Sequence, residues 1–345
     1  MMITVLCGGL SNERDVSIST GTGAARALRQ RGHRVALADL YLGVPALPEH
    51  IEDAFTVEEQ GAGVSIGEDA PDLDRVRAMR PNPEERVGPH VLDLCRAADV
   101  VFLALHGEEG ENGKLQGMLD LCGIKYTGAG SLGSALAMNK FVSKTLLRAA
   151  GVPVPEGLLL ERERALGHRS PGFPCVVKPC SGGSSVGTSI VHQEADYAAA
   201  LELAFRYENR VLAERFIRGR ELTVGIMDGR AMPVIEIIPK QGFYDYKNKY
   251  QAGATEEICP APIGPEATAR VQALAEQAYR ALGLEAYARV DFLWDTGEDV
   301  MYCLEANTLP GMTPTSLIPQ MAAAEGLDYG ALCEKIIEVS MKKYL

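Results

Sequence analysis

The chain has 345 residues, which at about 150 residues per domain corresponds to two or three domains. Hydrophobic residues at 46% and charged residues at 23% exclude a disordered chain, and no apolar run approaches the ~18 residues of a membrane span. A formal charge of −12 excludes a broad nucleic-acid-binding face as the default, yet it leaves room for a local lysine cluster that holds an anionic ligand.

Ile3 to Cys7 is a β-branched apolar run ending at Gly8-Gly9, and it reads as a buried strand. A helix follows through Ala24, Ala25 and Leu28 and stops at Gly32; Arg34 to Leu40 is the second strand. This βαβ start implies a parallel sheet. Between about Tyr41 and Pro89, Pro, Gly and acidic residues are frequent, and the segment reads as long connections with a few short elements. Asp99 to Leu105 is a third buried strand, ending at His106; a Gly-rich loop and a helix from about Leu115 to Leu121 come next.

A second region begins near Gly128. Asn139 to Ala150 spells an amphipathic helix closed by Gly151. Pro174 to Pro179 is a short strand carrying Lys178, followed by the loop CSGGSSVG; Glu194 to Tyr207 reads as a helix and Val211 to Phe216 as a strand. In the third region, Leu222 to Met227 and Ala231 to Ile238 flank Asp228-Gly229, a strong hairpin signal. The polar segment Gln241 to Glu257 reads as a loop and Glu266 to Leu282 as a helix. Ala286 to Trp294 and Val300 to Asn307 close the sheet before the C-terminal helices.

The N-terminus MMITVLCGGLSNERDVS lacks the basic start and long apolar stretch of a signal peptide. Eight cysteines without a CxxC pair read as reduced packing residues of a cytoplasmic protein.

Chemistry concentrates at four places. Strand alternation puts Arg289 and Asp291 on one face, and Cys303, Glu305 and Asn307 on one face of the following strand. If these strands pair, Asp291, Glu305 and Asn307 converge beside Arg289. Two half-buried carboxylates repel unless a cation joins them, and oxygen ligands suit magnesium; a salt-bridge cluster neutralised by Arg289 alone is the other reading. Gly182, Gly183 and Gly187 with Ser184 and Ser185 are able to offer N–H and O–H groups to phosphate, or simply to form a hairpin tip. Lys178 sits between an apolar run and a proline, whereas Lys140, at a helix start, reads by itself as a surface lysine. Ser11 and Glu13 follow a strand and two glycines at the sheet edge, where a helix N-terminus meets a ligand, although Glu13 also suits a cap. His106, ending a buried strand before HGEEGENG, is a site residue or a satisfied core histidine.

Together these segments resemble the D-alanine–D-alanine ligases, a family of ATP-grasp carboxylate–amine ligases. The resemblance runs in order through GGLSNERDVS, HGEEGENGKLQGMLDLCGIKYTGAG, MNKFVSK, KPCSGGSSVG, ERFIRGRELTV, FYDYKNKY, RVDF and LEANTLPGMTPTS. It implies an α/β, three-domain ATP-grasp fold: an N-terminal parallel-sheet (pre-ATP-grasp) domain (1–128), a central ATP-grasp domain (129–213) and a C-terminal catalytic domain (214–345).

The implied reaction is ATP-dependent ligation of two D-alanines through a D-alanyl phosphate, for peptidoglycan precursor synthesis in the cytoplasm. By resemblance, Lys140, Lys178, Ser184, Ser185 and Lys249 hold phosphates, Glu214, Arg215 and Ile217 form the adenine hinge, and Glu221 binds ribose. Asp291, Glu305 and Asn307 match ligands of two magnesium ions, for which manganese substitutes. Glu13 and Val16 fall in the first-substrate segment, Glu13 on the ammonium and His106 near the carboxylate. Arg289 and the Gly311 N–H face the oxyanion, and Ser316 the second D-alanine. Tyr250 and Ser184 tie the closed Gln241–Glu257 lid to Glu13. The resemblance further implies a homodimer through the N-terminal domain, with no nucleic-acid or membrane partner. D-alanine–D-serine or D-alanine–D-lactate ligation and a non-catalytic ATP-binding regulator are the alternative readings. Two departures stand out: CSGG before the serines, where many members carry charged side chains, and a long 44–89 stretch.

Overall fold

The computed structural model describes residues 1–58, 71–164, 170–183, 186–240 and 255–345. Ser184, Ser185, Lys249, Tyr250 and most of the expected lid lie outside the described residues. β1 (Met2–Cys7) pairs in parallel with both β2 (Arg34–Asp39) and β3 (Val100–Leu103). Ile3, Thr4, Val5 and Leu6 are all fully buried, so β1 is covered on both faces, as parallel strands are. The helix Arg14–Gln30 covers this sheet with Ala24, Ala25 and Leu28, and Leu332, Ile336 and Ile337 of the helix Tyr329–Met341 join the same core. In the 41–89 stretch, the buried Tyr41 donates its hydroxyl to Arg77 O (3.2 Å) and Pro83 O (3.3 Å), tying the connection down.

Two antiparallel sheets follow. The first contains β4 (Gly157–Glu161), β5 (Cys175–Pro179), β6 (Ser189–Val191) and β7 (Arg210–Arg215) in the order β4-β7-β5-β6. Its small core joins Val177, Val191, Val211 and Ala213 to Leu201 of the helix Tyr197–Phe205. The second contains β8 (Arg220–Met227), β9 (Arg230–Pro239), β10 (Thr255–Ile258), β11 (Tyr287–Asp295) and β12 (Val300–Asn307) in the order β10-β9-β8-β11-β12. The expected hairpin is present: Asp228 and Gly229 both hold positive φ (55° and 75°) between β8 and β9, as a tight Asp-Gly turn requires. Val224, Val290 and Phe292 pack under the helix Pro265–Ala281, and Ala137, Leu147 and Val152 from the preceding region complete that core.

Three expectations change. The end of the expected Gln241–Glu257 loop is strand β10, held by its pairing with β9 because Thr255-Glu256-Glu257 has no apolar alternation of its own. Strands β4 and β6 and the helices Val91–Ala97 and Ser131–Met138 lie where no element is expected. Cys303 does not share a face with Glu305. A β-bulge between β11 and β12 pairs Asp291 with Glu305 but Phe292 with Cys303, so the extra residue, Leu304, shifts the alternation. Cys303 is therefore fully buried with Phe292, while Leu304 and Glu305 both face the cleft.

Candidate active site

The two antiparallel sheets face each other across a cleft of about 710 Å³. Val176, Lys178 and Ile190 line it from one sheet, Ile237, Asp291, Leu293 and Glu305 from the other, and Ile217 from the connection between them. The apolar side chains suit a flat ring, and a second, smaller cavity of about 100 Å³ shares Glu305 with the cleft. Lys140, Gly182, Gly183 and Glu305 line both cavities, which therefore adjoin.

The cleft is organised by one buried carboxylate and three lysines. The helix Lys140–Ala149 places Lys140 and Lys144 one turn apart on the same face, and both are buried. The Lys144 ammonium donates to Glu214 Oε2 (2.5 Å), and Lys178 donates to Glu214 Oε1. Burial pushes Glu214 up, but the two lysines outweigh it and hold the carboxyl below its ordinary range. Burial also drives the Lys144 ammonium down to about 8, against the pull of Glu214. Lys140 reaches Gly182 O (2.6 Å) and Glu305 (3.1 Å), and Glu305 keeps its pKa high against the effect of burial. Far from being solvated, Lys140 pins the loop that precedes the serines.

Asp291, expected as a metal ligand, is the hub of the opposite wall. It accepts two N–H bonds from Arg289 (2.9 Å each), the Thr223 hydroxyl (2.6 Å) and the Asn307 amide (2.9 Å). Arg289 stands opposite Asn307, and Asp291 opposite Glu305, in the β11–β12 register. Two carboxylates and a carboxamide are a hard oxygen set. Among the described residues no three His, Cys, Asp or Glu side chains form a metal cluster, so such an ion would complete its shell from other oxygens, as magnesium does with phosphates. The residues present fit that group.

The smaller cavity gathers Glu13, His106, Arg289, Gly311 and Ser316 from both ends of the chain. Glu13 begins the helix Arg14–Gln30 without capping it through its side chain. Its position is set by Arg14, which pairs with Asp39 and donates to Gly9 O (2.6 Å), and by Ser11, whose hydroxyl donates to His106 O (2.7 Å). Gly311 passes so close to Ser316 that a Cβ would sit 2.9 Å from the hydroxyl oxygen, which would have to turn away to admit it. Ser316 Oγ accepts the Thr313 N–H (3.0 Å).

Other expected residues fall differently. Val16 is fully buried and does not line the cavity. Arg215 lines the cleft, yet its guanidinium pairs with Glu298 (2.8 Å) and Tyr302 (2.7 Å). Ile217 and Glu221 line the cleft. His106 has both ring nitrogens occupied: Nδ1 donates to Leu309 O (2.8 Å), so Nε2 accepts the Thr20 hydroxyl (2.9 Å). Burial lowers its pKa and keeps it neutral.

Sequence reasoning passes over Lys144, Glu257 and Glu111, although the latter two line the small cavity and Lys144 holds the cleft's central carboxylate. The i,i+4 lysines of MNKFVSK are a signal for the first. Glu111 accepts the Gly107 N–H (2.7 Å) and the Leu309 N–H (3.1 Å), while burial and then Glu13 push its pKa from 4.5 to about 7. The folded state therefore binds more protons here than the unfolded chain between those two values, and this group's stabilising contribution is lost as pH rises through 7. Glu111→Gln cannot titrate, so its Tm relative to the natural protein should climb from pH 5 to 7 and then level off. A flat or falling difference in a thermal unfolding series would contradict that protonation.

The sheets, with a nucleotide-sized cleft between them lined by Lys140 and Lys178, define an ATP-grasp ligase. Residues 2–129 match the family description "D-ala D-ala ligase N-terminus" and residues 146–338 match "D-ala D-ala ligase C-terminus". The chain belongs to the D-alanine–D-alanine ligase family. A D-alanine–D-alanine ligase of Lacticaseibacillus casei is 41% identical over 347 aligned positions, covering 100% of this chain and 97% of that one. One from Geobacter sulfurreducens is 43% identical over 97% of this chain and 92% of its own length. Among solved structures, the Bacillus anthracis ligase complexed with ATP superposes with a TM-score of 0.75 at 30% identity, covering 99% and 98% of the two chains. The VanG D-Ala:D-Ser ligase of Enterococcus faecalis gives 0.74 at 27% identity over 98% and 99%.

Proposed function

We propose that the protein uses ATP to join two molecules of D-alanine, forming D-alanyl-D-alanine, ADP and phosphate. The observation that carries this reading is the adjacency of two cavities, a large cleft lined by Lys178 and Lys140 and a small one with Glu13, Arg289 and Ser316, with Lys140 lining both. In this reading Glu13 holds the ammonium of the first D-alanine, and Lys140 and Lys178 orient the phosphates. The first carboxylate attacks the γ-phosphoryl group, and the resulting acyl phosphate accepts the second amine. Arg289 and the Gly311 N–H stabilise the oxyanion that develops, and Ser316 receives the second carboxylate. Asp291, Glu305 and Asn307 would hold two magnesium ions, which neutralise phosphoryl charge when bound. Ser184, Ser185, Lys249 and Tyr250 complete the phosphate loop and lid, which must exclude water from the acyl phosphate.

We assign residues 1–128, 129–213 and 214–345 to the three domains, the product to peptidoglycan precursor synthesis, and the assembly to a homodimer. The cytoplasm is the proposed location. In support, all eight cysteines are free, and no helix among the described residues is long and apolar enough to cross a membrane.

Phosphate release from ATP that requires both D-alanine and magnesium is the direct test; none under saturating D-alanine would refute the reading. A competition among equal D-alanine, D-lactate and D-serine at pH 7, read by mass, is expected to give mainly D-Ala–D-Ala with little ester. Tyr250 in the lid stays neutral and does not favour an anionic acceptor as a protonated histidine would. D-serine is the stronger competitor, since one added hydroxyl is weakly rejected. Predominant ester would overturn the role given to Tyr250.

A further inference from the structure

Leu309 lies midway between Asn307 and Gly311, and its backbone is gripped on both sides by one loop from the other end of the chain. Its N–H donates to Glu111 Oε1 (3.1 Å) and its C=O accepts from His106 Nδ1 (2.8 Å). These two bonds fix the two peptide planes that flank Leu309. The grip is itself rigid: Glu111 Oε2 accepts the Gly107 N–H (2.7 Å), and His106 Nε2 is held by Thr20 (2.9 Å). His106 is 5% exposed and Leu309 2%, so water does not compete for the His106 bonds, and the Glu111 bonds are half-buried beside them.

We infer that Glu111 and His106 are positioning residues for the ligase reaction, holding the Leu309 backbone so that the Gly311 N–H and the Asn307 side chain face the reacting centre. The inference rests on the proposed ligase function of that cavity. The chemistry of Glu111 supports it. A half-buried carboxylate near Glu13 costs stability, and an apolar residue would serve plain packing better. What a carboxylate alone supplies is two acceptors for two N–H donors. A glutamine at 111 would keep one acceptor and turn an NH₂ toward the other N–H. His106 in its neutral form supplies the complementary donor, and with both nitrogens engaged it acts through Leu309.

The test is Glu111→Gln, with calorimetric titration of ADP and of a dipeptide phosphinate, whose tetrahedral phosphorus imitates the reacting carbon. Binding stoichiometry reports the folded fraction separately from affinity. The expected result is ADP affinity within about twofold of the natural protein, phosphinate affinity at least tenfold weaker, and a matching fall in kcat. Unchanged phosphinate affinity at full stoichiometry would overturn the inference, as would equal weakening of ADP. Should that variant not fold, the His106 pair decides. His106→Leu should show the same selective loss, and His106→Asn, whose amide N–H falls near Nδ1, should recover most of it. Equal behaviour of the two would again overturn it. If the natural protein makes no dipeptide, the ligase reading has failed; if it does and these variants bind normally, only the positioning role has.

Discussion

Replacing Asp291 by asparagine is expected to lower turnover by about 10³-fold or more while the chain stays folded. Asp291 is 7% exposed, directly opposite Glu305, and bonded to Arg289, Thr223 and Asn307. Each of its oxygens accepts two of these bonds, some of which a bound cation would replace, and its charge balances the guanidinium. Asparagine preserves the volume but removes one acceptor and the charge. A cation held between Asp291, Glu305 and a phosphate would lose several kcal/mol of stabilisation, each 1.36 kcal/mol being tenfold in rate. Steady-state phosphate release measures the loss, and fluorescence titration of nucleotide shows whether the cleft survives. A variant within tenfold of the natural rate would remove Asp291 from the reaction.

The largest effect on stability is expected at Glu214. This 2%-exposed carboxylate lies between Lys144 and Lys178, and Glu214→Gln leaves the two ammonium groups facing a neutral amide. Removing one partner from a buried ionic cluster costs about 3–5 kcal/mol. Lys144, already driven to about 8 by burial, would yield its proton more readily still. If Lys178 binds phosphate as proposed, ATP brings negative charge to this cluster and should raise the Tm of the variant more than that of the natural protein. Thermal unfolding with and without ATP measures both terms. Equal ATP shifts would show that the lysines do not meet the phosphates.

The parts of the molecule written in local pattern were legible in the sequence: the buried β1, the Asp228-Gly229 hairpin and the amphipathic run after Asn139. Strands β4, β6 and β10 were not. β6 has three residues, too few for a period, and β10 carries two glutamates that only its neighbour makes a strand. The convergence of Asp291, Glu305 and Asn307 follows from strand alternation, but the bulge at Leu304 does not, because an inserted residue is defined by pairing between strands. Glu111 shows the same limit within the site. Among the acids of HGEEGENG, nothing local distinguishes the one whose carboxylate meets Leu309 some 198 positions away.

The helix Tyr329–Met341 completes the core of the β1–β2–β3 layer, and this sets an order of events on the ribosome. About 300 residues separate the first covering helix from that last one, which at about 5–20 residues per second is roughly 15–60 s of synthesis. Throughout that interval the earliest strands to emerge lack the cover that Leu332, Ile336 and Ile337 provide. A nascent chain halted before these residues appear carries an open apolar layer, the kind of surface that holdase chaperones recognise.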